Sequence, residues 1–193
     1  AATASISTEL GKLFGLDENE LKKLQLGAYL HDIGKISTPL EILEKPGELT
    51  REEMRIMKQH VDITGKILKD RIHEDVFQIA YRHHEKLDGS GYPCRLRAEQ
   101  LSLSDRIVAV ADNISALTGK RSYKESFSRE TVIEILLRQK DAGKLCGRVT
   151  GSAVRNYDEI MESAKKKIKM ITEMYGRISD EFCLIKRKFE TIS

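Results

Sequence analysis

The stretch His31-Asp32-Ile33-Gly34-Lys35 is the part of the sequence from which the fold prediction starts. It follows an apolar run with helical spacing, so His31 and Asp32 are predicted at the end of a helix. An imidazole and a carboxylate at neighbouring positions can hold one divalent metal ion, or the carboxylate can bridge two ions. Taken alone, such a pair is more commonly a buried histidine beside a helix-terminal aspartate, so the interpretation depends on the other histidines.

Four of the five histidines occupy positions that can form one metal site with the carboxylates. His60 lies beside the apolar stripe of a helical pattern, His83 and His84 form a second adjacent pair, and Asp112 ends a strongly apolar segment. The predicted metal ligands are His31, Asp32, His60, His83, His84 and Asp112. Because the set contains no thiolate, it suits Fe, Mn or Zn, with Ni or Mg as alternatives, and it favours a carboxylate-bridged pair of divalent ions over a structural zinc site.

The composition is that of an ordinary globular chain with a single main domain. The 193 residues are 40% hydrophobic and 33% charged, and a net charge of +3 gives no argument for binding a nucleic acid polymer. No apolar run approaches the roughly 18 residues of a membrane-spanning helix. Cys94, Cys146 and Cys183 match neither a disulfide framework nor a zinc pattern, which favours the cytoplasm. Three prolines and few β-branched runs predict an all-α fold.

Start and stop signals divide the chain into helices. A helix is predicted from about Glu18 to the His-Asp pair, with Gly34 at its C-cap. Thr50 and Glu53 form a capping box that opens a helix through about Lys69. Further helices are predicted over 40–43, over 75–84, over 104–117 with Ser104 as its cap, and after the cap Ser128. Loops are predicted at 85–93, at the basic turn 119–124, and around Gly143 and Gly147.

The last segment carries a heptad repeat. Apolar residues alternate spacings of three and four from Val154 to Ile192, which is more than five heptads. Such a helix would be roughly 60 Å long, so its first turns can pack on the domain while its second half pairs with another copy of the chain. The pattern keeps its phase across Gly176, which favours a continuous helix over a helical hairpin. The predicted division is a domain over 1–160 and a C-terminal helix over 161–193.

The predicted metal site suits phosphoester hydrolysis. Two ions a few ångströms apart clamp a phosphate and lower the pKa of a water molecule. Lys35 can donate to a phosphate oxygen or to the leaving oxygen. Arg121 and Lys124 either hold further phosphates or form a solvated basic turn. Glu85 and Asp88 either orient the histidines or act as a loop cap and a turn residue.

Together these motifs resemble the HD-GYP family, a bacterial branch of the HD-domain metal-dependent phosphohydrolases. The matching blocks are, in chain order, His-Asp-Ile-Gly-Lys at 31–35, Lys-Pro-Gly-Glu-Leu-Thr at 45–50, His60, His-His-Glu at 83–85, Asp-Gly-Ser-Gly-Tyr-Pro at 88–93, Ala-Asp at 111–112 and Ala-Leu-Thr at 116–118. The resemblance extends from about Leu10 to Tyr157. It implies an HD-domain helical bundle, a two- or three-metal site, often of iron or manganese, and hydrolysis of cyclic di-GMP to pGpG or GMP.

The resemblance also implies roles for single residues. The six histidines and aspartates named above fall where the family holds metal, with Asp32 as the bridging ligand and a catalytic residue together with Lys35. The positions that contact the nucleotide are Lys35, Tyr92, Arg121 and Lys124. An upstream sensory or receiver domain is expected in the parent protein.

Departures from the family pattern leave a second hypothesis open. A further histidine usual on the first helix falls just before Ala1, and a more upstream glutamate would be absent too, so the chain reads as a piece of a longer protein. Ser115 stands where aspartate is common, Arg95 where glycine is usual and Ser122 where proline is usual. The alternative is a catalytically impaired signalling module that binds metal or nucleotide. A third hypothesis, hydrolysis of nucleoside phosphates, is disfavoured by the Gly-Tyr-Pro triplet.

Overall fold

Helices form the regular structure of residues 1–119 and 126–190, the part of the chain that this computed structural model describes, with residues 180 and 183–190 described by their backbone. The α-helices are α1 (Ala2–Leu13), α2 (Glu18–Leu30), α3 (Leu40–Leu43), α4 (Arg51–Leu68), α5 (Glu74–Tyr81), α6 (Leu103–Thr118), α7 (Arg129–Asp141), α8 (Gly147–Arg155) and α9 (Tyr157–Glu190). Two 3₁₀-helices cover Ile33–Ser37 and Ala98–Gln100. This confirms the all-α prediction. None of the described helices combines the length and the apolar composition needed to cross a bilayer.

Part of the predicted basic turn, with Arg121 and Lys124, lies outside the described residues, which omit 120–125.

Two helices begin at capping boxes, and the one at Thr50 was predicted from the sequence. The Asp17 carboxylate accepts the Glu20 backbone N–H, and the Glu20 carboxylate accepts the Asp17 N–H, both at 2.8 Å. Thr50 and Glu53 form the same reciprocal pair at the start of α4. Because such boxes satisfy N–H groups that the helix itself leaves free, they fix where the helix starts.

The start of α6 differs from the prediction. Ser102, and not Ser104, is its N-cap, because Ser102 Oγ accepts the Asp105 N–H and the Asp105 carboxylate accepts the Ser102 N–H. The residue three positions after Ser104 is Ile107, which has no side-chain oxygen to close a box. The prediction of Ser104 as the cap was therefore wrong, because Ser102 has an aspartate three positions later and Ser104 does not.

Three other boundaries also differ. Helix α5 ends at Tyr81, so His83 and His84 lie in the turn that follows it. Gly34 is not a C-cap, because it lies inside the 3₁₀-helix and is buried. The segment around Gly147 that was predicted as a loop contains helix α8, and a break at Asn156 separates α8 from the last helix.

The core forms around α6. Its residues 107–111 are buried with Ile114, and α1 packs against α2, α6 and α9. Helix α4 packs against the 3₁₀-helix that follows α2 and against α5. This packing brings the end of α2, the middle of α4, the turn after α5 and the buried helix α6 to one side of the bundle.

Helix α9 has 34 residues and is continuous through Gly176, as predicted. Its first turns pack on the domain: Tyr157, Ile160 and Ala164 are buried in the core, and Lys167 pairs with Glu9 of α1. Beyond this half the apolar side chains that the structure describes are exposed, namely Met174, Tyr175, Ile178 and Phe182. The helix therefore joins a packed first half to a second half whose described apolar side chains are exposed.

Candidate metal centre

The six predicted metal ligands come from four places in the fold. These are the end of α2, the middle of α4, the turn after α5 and α6, and the residues are, in that order, His31 and Asp32, His60, His83 and His84, and Asp112. His31, His60 and His83 are buried, which is uncommon for so many imidazoles in one small domain. The structure brings all six into one cluster.

The Asp32 carboxylate lies at the centre of this cluster. Its Oδ2 is 3.2 Å from His31 Nε2, and its Oδ1 is 3.4 Å from His60 Nε2 and 3.9 Å from His83 Nε2. His31 Nε2 is also 3.3 Å from Asp112 Oδ1. One carboxylate thus faces three imidazole nitrogens, an arrangement that suits a bridging ligand.

Three histidines are held in the same orientation by the backbone. Each donates its Nδ1–H to a carbonyl three residues earlier, at 2.6–2.8 Å: His31 to Ala28, His60 to Met57 and His83 to Ala80. A carbonyl can only accept, so Nδ1 carries the proton and Nε2 points into the cluster. Histidines that bind metals are oriented in this way by a hydrogen bond from the other ring nitrogen.

The two carboxylates are ionised at neutral pH. Burial opposes this, but the neighbouring His31 and Lys35 lower the pKa of Asp32 below its usual range, and His31 with the other imidazoles lowers that of Asp112 to about 2. Lys35 Nζ lies 2.6 Å from Asp32 Oδ2. The cluster therefore contains two negative charges that need a cation or a proton nearby.

The histidines divide into two groups by protonation. Burial lowers the pKa of His60, of His83 and, to about 3, of His84, so these rings are neutral at pH 7, the form that binds metals. Burial also acts on His31, but the carboxylates of Asp112 and Asp32 outweigh it and raise its pKa to about 9. In the absence of a metal, His31 carries the balancing proton.

The donor atoms fit a divalent metal. His31 Nε2 is buried and, among the described residues, no hydrogen bond of good geometry satisfies it, although two carboxylate oxygens lie within 3.3 Å. Two overlapping triads have ligand atoms within 4.8 Å of one another: His60, His83 and His84, and His31, Asp32 and His83. The two triads share His83, and in each of them the donor atoms are close enough together to hold a divalent ion.

A cavity of about 620 Å³ opens over this cluster. Asp32, His60, His84 and Asp112 form its polar floor, and its wall includes residues from four helices and two loops: Thr3, Lys35, Leu49, Met54, Met57, Tyr92 and Ser115. Lys35 and Tyr92, predicted to contact substrate, thus both face the cavity. The volume is in the range of small-molecule sites.

The loop after the second histidine pair is held by its own carboxylates. Glu85 is buried and accepts the backbone N–H groups of Cys94 and Leu96, at 2.6 and 2.9 Å. Asp88 accepts the backbone N–H and the hydroxyl of Ser90. Of the two roles that the sequence left open for Glu85 and Asp88, the structure thus favours the loop and turn roles.

Gly91 brings the loop close to the cluster. A Cβ at this position would lie 2.4 Å from the Lys86 backbone nitrogen, so only glycine fits. This close approach places Tyr92 against His84, with the ring centroids 4.8 Å apart. The Gly-Tyr-Pro triplet therefore forms a wall of the cavity.

Sequence reasoning missed Thr64, which holds the His-Asp turn in place. Its buried Oγ1 accepts the Gly34 N–H at 3.0 Å and donates to the His31 carbonyl at 3.2 Å. Thr64 is one turn after His60 on α4, and this shared helix face was the signal that could have indicated it.

The sequence of this chain is similar to a known protein family and to several named phosphodiesterases. The HD domain family matches residues 1–146. The chain is 44% identical over 134 residues to a 3'3'-cGAMP-specific phosphodiesterase 2 of Vibrio cholerae, covering 68% of this chain and 26% of that protein. It is 43% identical over 129 residues to the cyclic di-GMP phosphodiesterase response regulator RpfG of Xanthomonas campestris, covering 65% and 34% of the two chains.

A third relative extends further along the chain. A cyclic di-GMP phosphodiesterase of Thermotoga maritima is 38% identical over 180 residues, covering 91% of this chain and 45% of that protein. Among solved structures, Bd1817, an HDG"Y"P protein from Bdellovibrio bacteriovorus, matches with a TM-score of 0.68 at 22% identity, over 81% of this chain and 51% of that one. The chain thus spans less than half the length of these three relatives.

Proposed function

This chain belongs to the HD domain family, with the motifs of its HD-GYP branch, and we propose that it is a metal-dependent phosphodiesterase that hydrolyses cyclic dinucleotides in bacterial second-messenger signalling. Relatives at 38–44% identity bear the names of phosphodiesterases for cyclic di-GMP or 3'3'-cGAMP. The observation that carries the proposal is the convergence of three backbone-oriented imidazoles on the Asp32 carboxylate at the floor of a cavity. The proposed first substrate is cyclic di-GMP.

HD-domain phosphohydrolases depend on metal, and the proposed ligands are His31, Asp32, His60, His83, His84 and Asp112. Two divalent ions, Fe or Mn, are proposed because the donors are nitrogen and oxygen atoms and because Asp32 faces both groups of histidines. When bound, such ions neutralise phosphate charge and lower the pKa of water, which supplies the chemistry of hydrolysis.

The chain's own side chains position the substrate. Lys35, held by Asp32 at the cavity wall, brings an ammonium group that can neutralise a phosphate oxygen and give a proton to the leaving oxygen. Burial raises the pKa of Tyr92 above its usual value, so its hydroxyl keeps a proton that it can donate to the nucleotide. Arg121 and Lys124 are proposed as further phosphate contacts on the sequence pattern alone.

The second candidate is a catalytically impaired module that binds metal or nucleotide. Ser115 favours it, because this residue lines the cavity with a hydroxyl where the family pattern commonly has a carboxylate. Both candidates bind metal or nucleotide, but only the first hydrolyses the cyclic dinucleotide.

The deciding experiment combines metal analysis with product analysis. Protein purified without chelator is expected to contain about two equivalents of Fe or Mn and to convert cyclic di-GMP to pGpG or GMP. Asp32→Asn is expected to lose metal and at least about 100-fold of the rate, since even indirect supports of a metal site cost 10–100-fold. Asp62→Asn, an exposed aspartate on α4, is the matched control.

Turnover by Asp32→Asn in the presence of metal would contradict the catalytic proposal. Metal and nucleotide binding by the wild-type chain without turnover would favour the impaired module.

For partners, we propose a homodimer through α9, with residues 1–160 as the catalytic unit and 161–193 as the pairing helix. The apolar side chains that α9 exposes beyond its packed half support this. A sensory or receiver domain upstream is proposed because one relative is named a response regulator.

A further inference from the structure

A second depression lies beside the cavity, on the outer face of α4. It has a volume of about 430 Å³ and is lined by Leu49, Thr50, Arg51, Met54, Arg55 and Lys58. Four of these residues belong to α4 and are separated by three, one and three positions, so they share one face of the helix: Arg51, Met54, Arg55 and Lys58. Leu49 and Met54 also line the cavity over the metal centre, so the two spaces share a wall.

Lys58 connects this depression to the metal centre through Tyr92. Its Nζ lies 4.9 Å from the centroid of the Tyr92 ring. That ring also lies beside His84, one of the proposed ligands, at 4.8 Å between centroids. Because Lys58 and His84 both contact Tyr92, one small molecule can reach both the Lys58 ammonium group and the cluster of proposed metal-binding residues.

Lys58 also differs from Arg55 and Lys45 in having no carboxylate partner among the described residues. Arg55 is held by Glu52 through contacts of 2.6–3.1 Å, and Lys45 is held by Glu53 at 2.6 Å. Within residues 1–119 and 126–190, Lys58 forms neither a hydrogen bond nor an ion pair, and the contact recorded for its ammonium group is the Tyr92 ring. Its charge remains available to an anion.

We propose that Lys58 binds the second phosphate of a cyclic dinucleotide and thereby selects substrates with two phosphates. The proposal rests on the proposed function. A cyclic dinucleotide carries two phosphodiesters on opposite sides of one ring, so when one lies at the metal centre with Lys35, the other must lie away from it. Lys58 places a positive charge on that outer side, and Met54 and Leu49 provide apolar surface for a base.

The test compares a substrate with two phosphates and one with a single phosphate. Lys58→Met is expected to raise KM for cyclic di-GMP by about tenfold or more, the usual cost of losing a charge-assisted hydrogen bond. The kcat is expected to stay within about twofold, because Lys58 does not touch the proposed ligands. Hydrolysis of bis(p-nitrophenyl) phosphate, which has one phosphate, is expected to be unchanged.

Two further variants make the comparison specific. Lys58→Arg is expected to stay close to wild type, because it keeps the charge. Lys66→Met removes another exposed lysine of α4 that lines neither space, and it is expected to change neither KM.

The results separate this inference from the proposed function. An unchanged KM for cyclic di-GMP in Lys58→Met overturns the role of Lys58 and leaves the phosphodiesterase proposal standing. An equal loss on both substrates also overturns it, because the effect would then lie in the metal centre. Should the wild-type protein not hydrolyse cyclic di-GMP, the proposed function fails, and calorimetry decides the role of Lys58. A weaker Kd in Lys58→Met supports it, and an equal Kd or no binding by either protein overturns it.

Discussion

At the scale of single residues, Gly34 decides how closely the His-Asp turn approaches α4. A Cβ at this position would lie 2.0 Å from the His60 carbonyl oxygen and 2.6 Å from the Thr64 backbone nitrogen. Such distances are far below van der Waals contact, so any side chain here must push the turn away from α4. Since the turn carries His31 and Asp32, the absence of a side chain at Gly34 sets the geometry of the metal centre.

Gly34→Ala is therefore expected to destabilise the fold by about 2–3 kcal/mol, the usual cost of forcing extra atoms into a packed interior. For a chain of this size, this lowers Tm by roughly 5–10 °C. Calorimetry measures the change. Gly176→Ala is the control, because a Cβ at that helical position meets nothing within 4 Å and is expected to leave Tm unchanged or slightly higher. Equal Tm values for the two variants would contradict the packing argument.

The charge of His31 makes the stability of the metal-free protein depend on pH. Its pKa is raised to about 9 by the Asp112 and Asp32 carboxylates, which outweigh burial, whereas an unfolded histidine has a pKa of about 6.5. A group whose pKa is higher in the folded state stabilises fully below the unfolded pKa, and this stabilisation is lost as the pH rises through the folded pKa.

The metal-free protein, kept in chelator, is therefore expected to lose about 2–3 kcal/mol of unfolding free energy between pH 7 and pH 10. Urea titrations at a series of pH values measure this loss. His31→Gln removes the titrating group and is expected to flatten the slope over this range, while other groups that titrate at high pH remain. The same slope in both proteins would exclude His31 as the cause.

At the scale of elements, α9 has two halves with different surroundings. The first half is buried against α1, whereas Tyr175, Ile178 and Phe182 in the second half are 65%, 54% and 66% exposed. These three continue the heptad positions of the sequence. Large apolar side chains in a single stripe are typical of a helix that packs against another helix.

The chain is expected to self-associate through this stripe. Ile178→Lys is expected to shift it to the monomer, because the substitution places a charge in the centre of the apolar seam. Sedimentation velocity at about 100 μM measures the shift. Glu173→Lys changes a residue of the same helix outside the heptad seam and is expected to leave the association unchanged. A wild-type chain that sediments as a monomer at that concentration would contradict this prediction.

At the scale of the whole molecule, the metal centre links four elements. The proposed ligands come from the end of α2, from α4, from the turn after α5 and from α6, and they include two half-buried, ionised carboxylates, Asp32 and Asp112. A divalent ion bound there would hold these elements together and would stabilise the folded state, since the ligands are far apart in the unfolded chain.

Removing the metal is expected to lower Tm by roughly 5–10 °C for each occupied site, from about 2.7 kcal/mol per site at a metal concentration 100 times Kd. Thermal unfolding with and without chelator measures the change, with elemental analysis to establish that the metal has left. Asp32→Asn is expected to show little response to chelator. An unchanged Tm of the wild-type protein after complete metal loss would show that the centre contributes nothing to the fold.

The sequence by itself determined the elements that depend on short-range patterns. The capping boxes at Asp17 and Thr50 join residues three positions apart, and the all-α class follows from apolar spacing along single helices. The identities of the six proposed ligands could also be stated in advance, because histidine and aspartate are the residues whose side chains suit such a site. These features need no knowledge of which distant segments meet.

Only the tertiary structure decided how the distant segments meet. Thr64 bonds to a turn 30 residues earlier, Gly34 is required by the backbone of another helix, and Lys58 contacts a tyrosine from a separate loop. The break at Asn156 likewise interrupts a heptad pattern that is regular in sequence. Helical periodicity records which side of a helix is buried and contains no information about its partner, so these contacts arise from the packing of the whole chain.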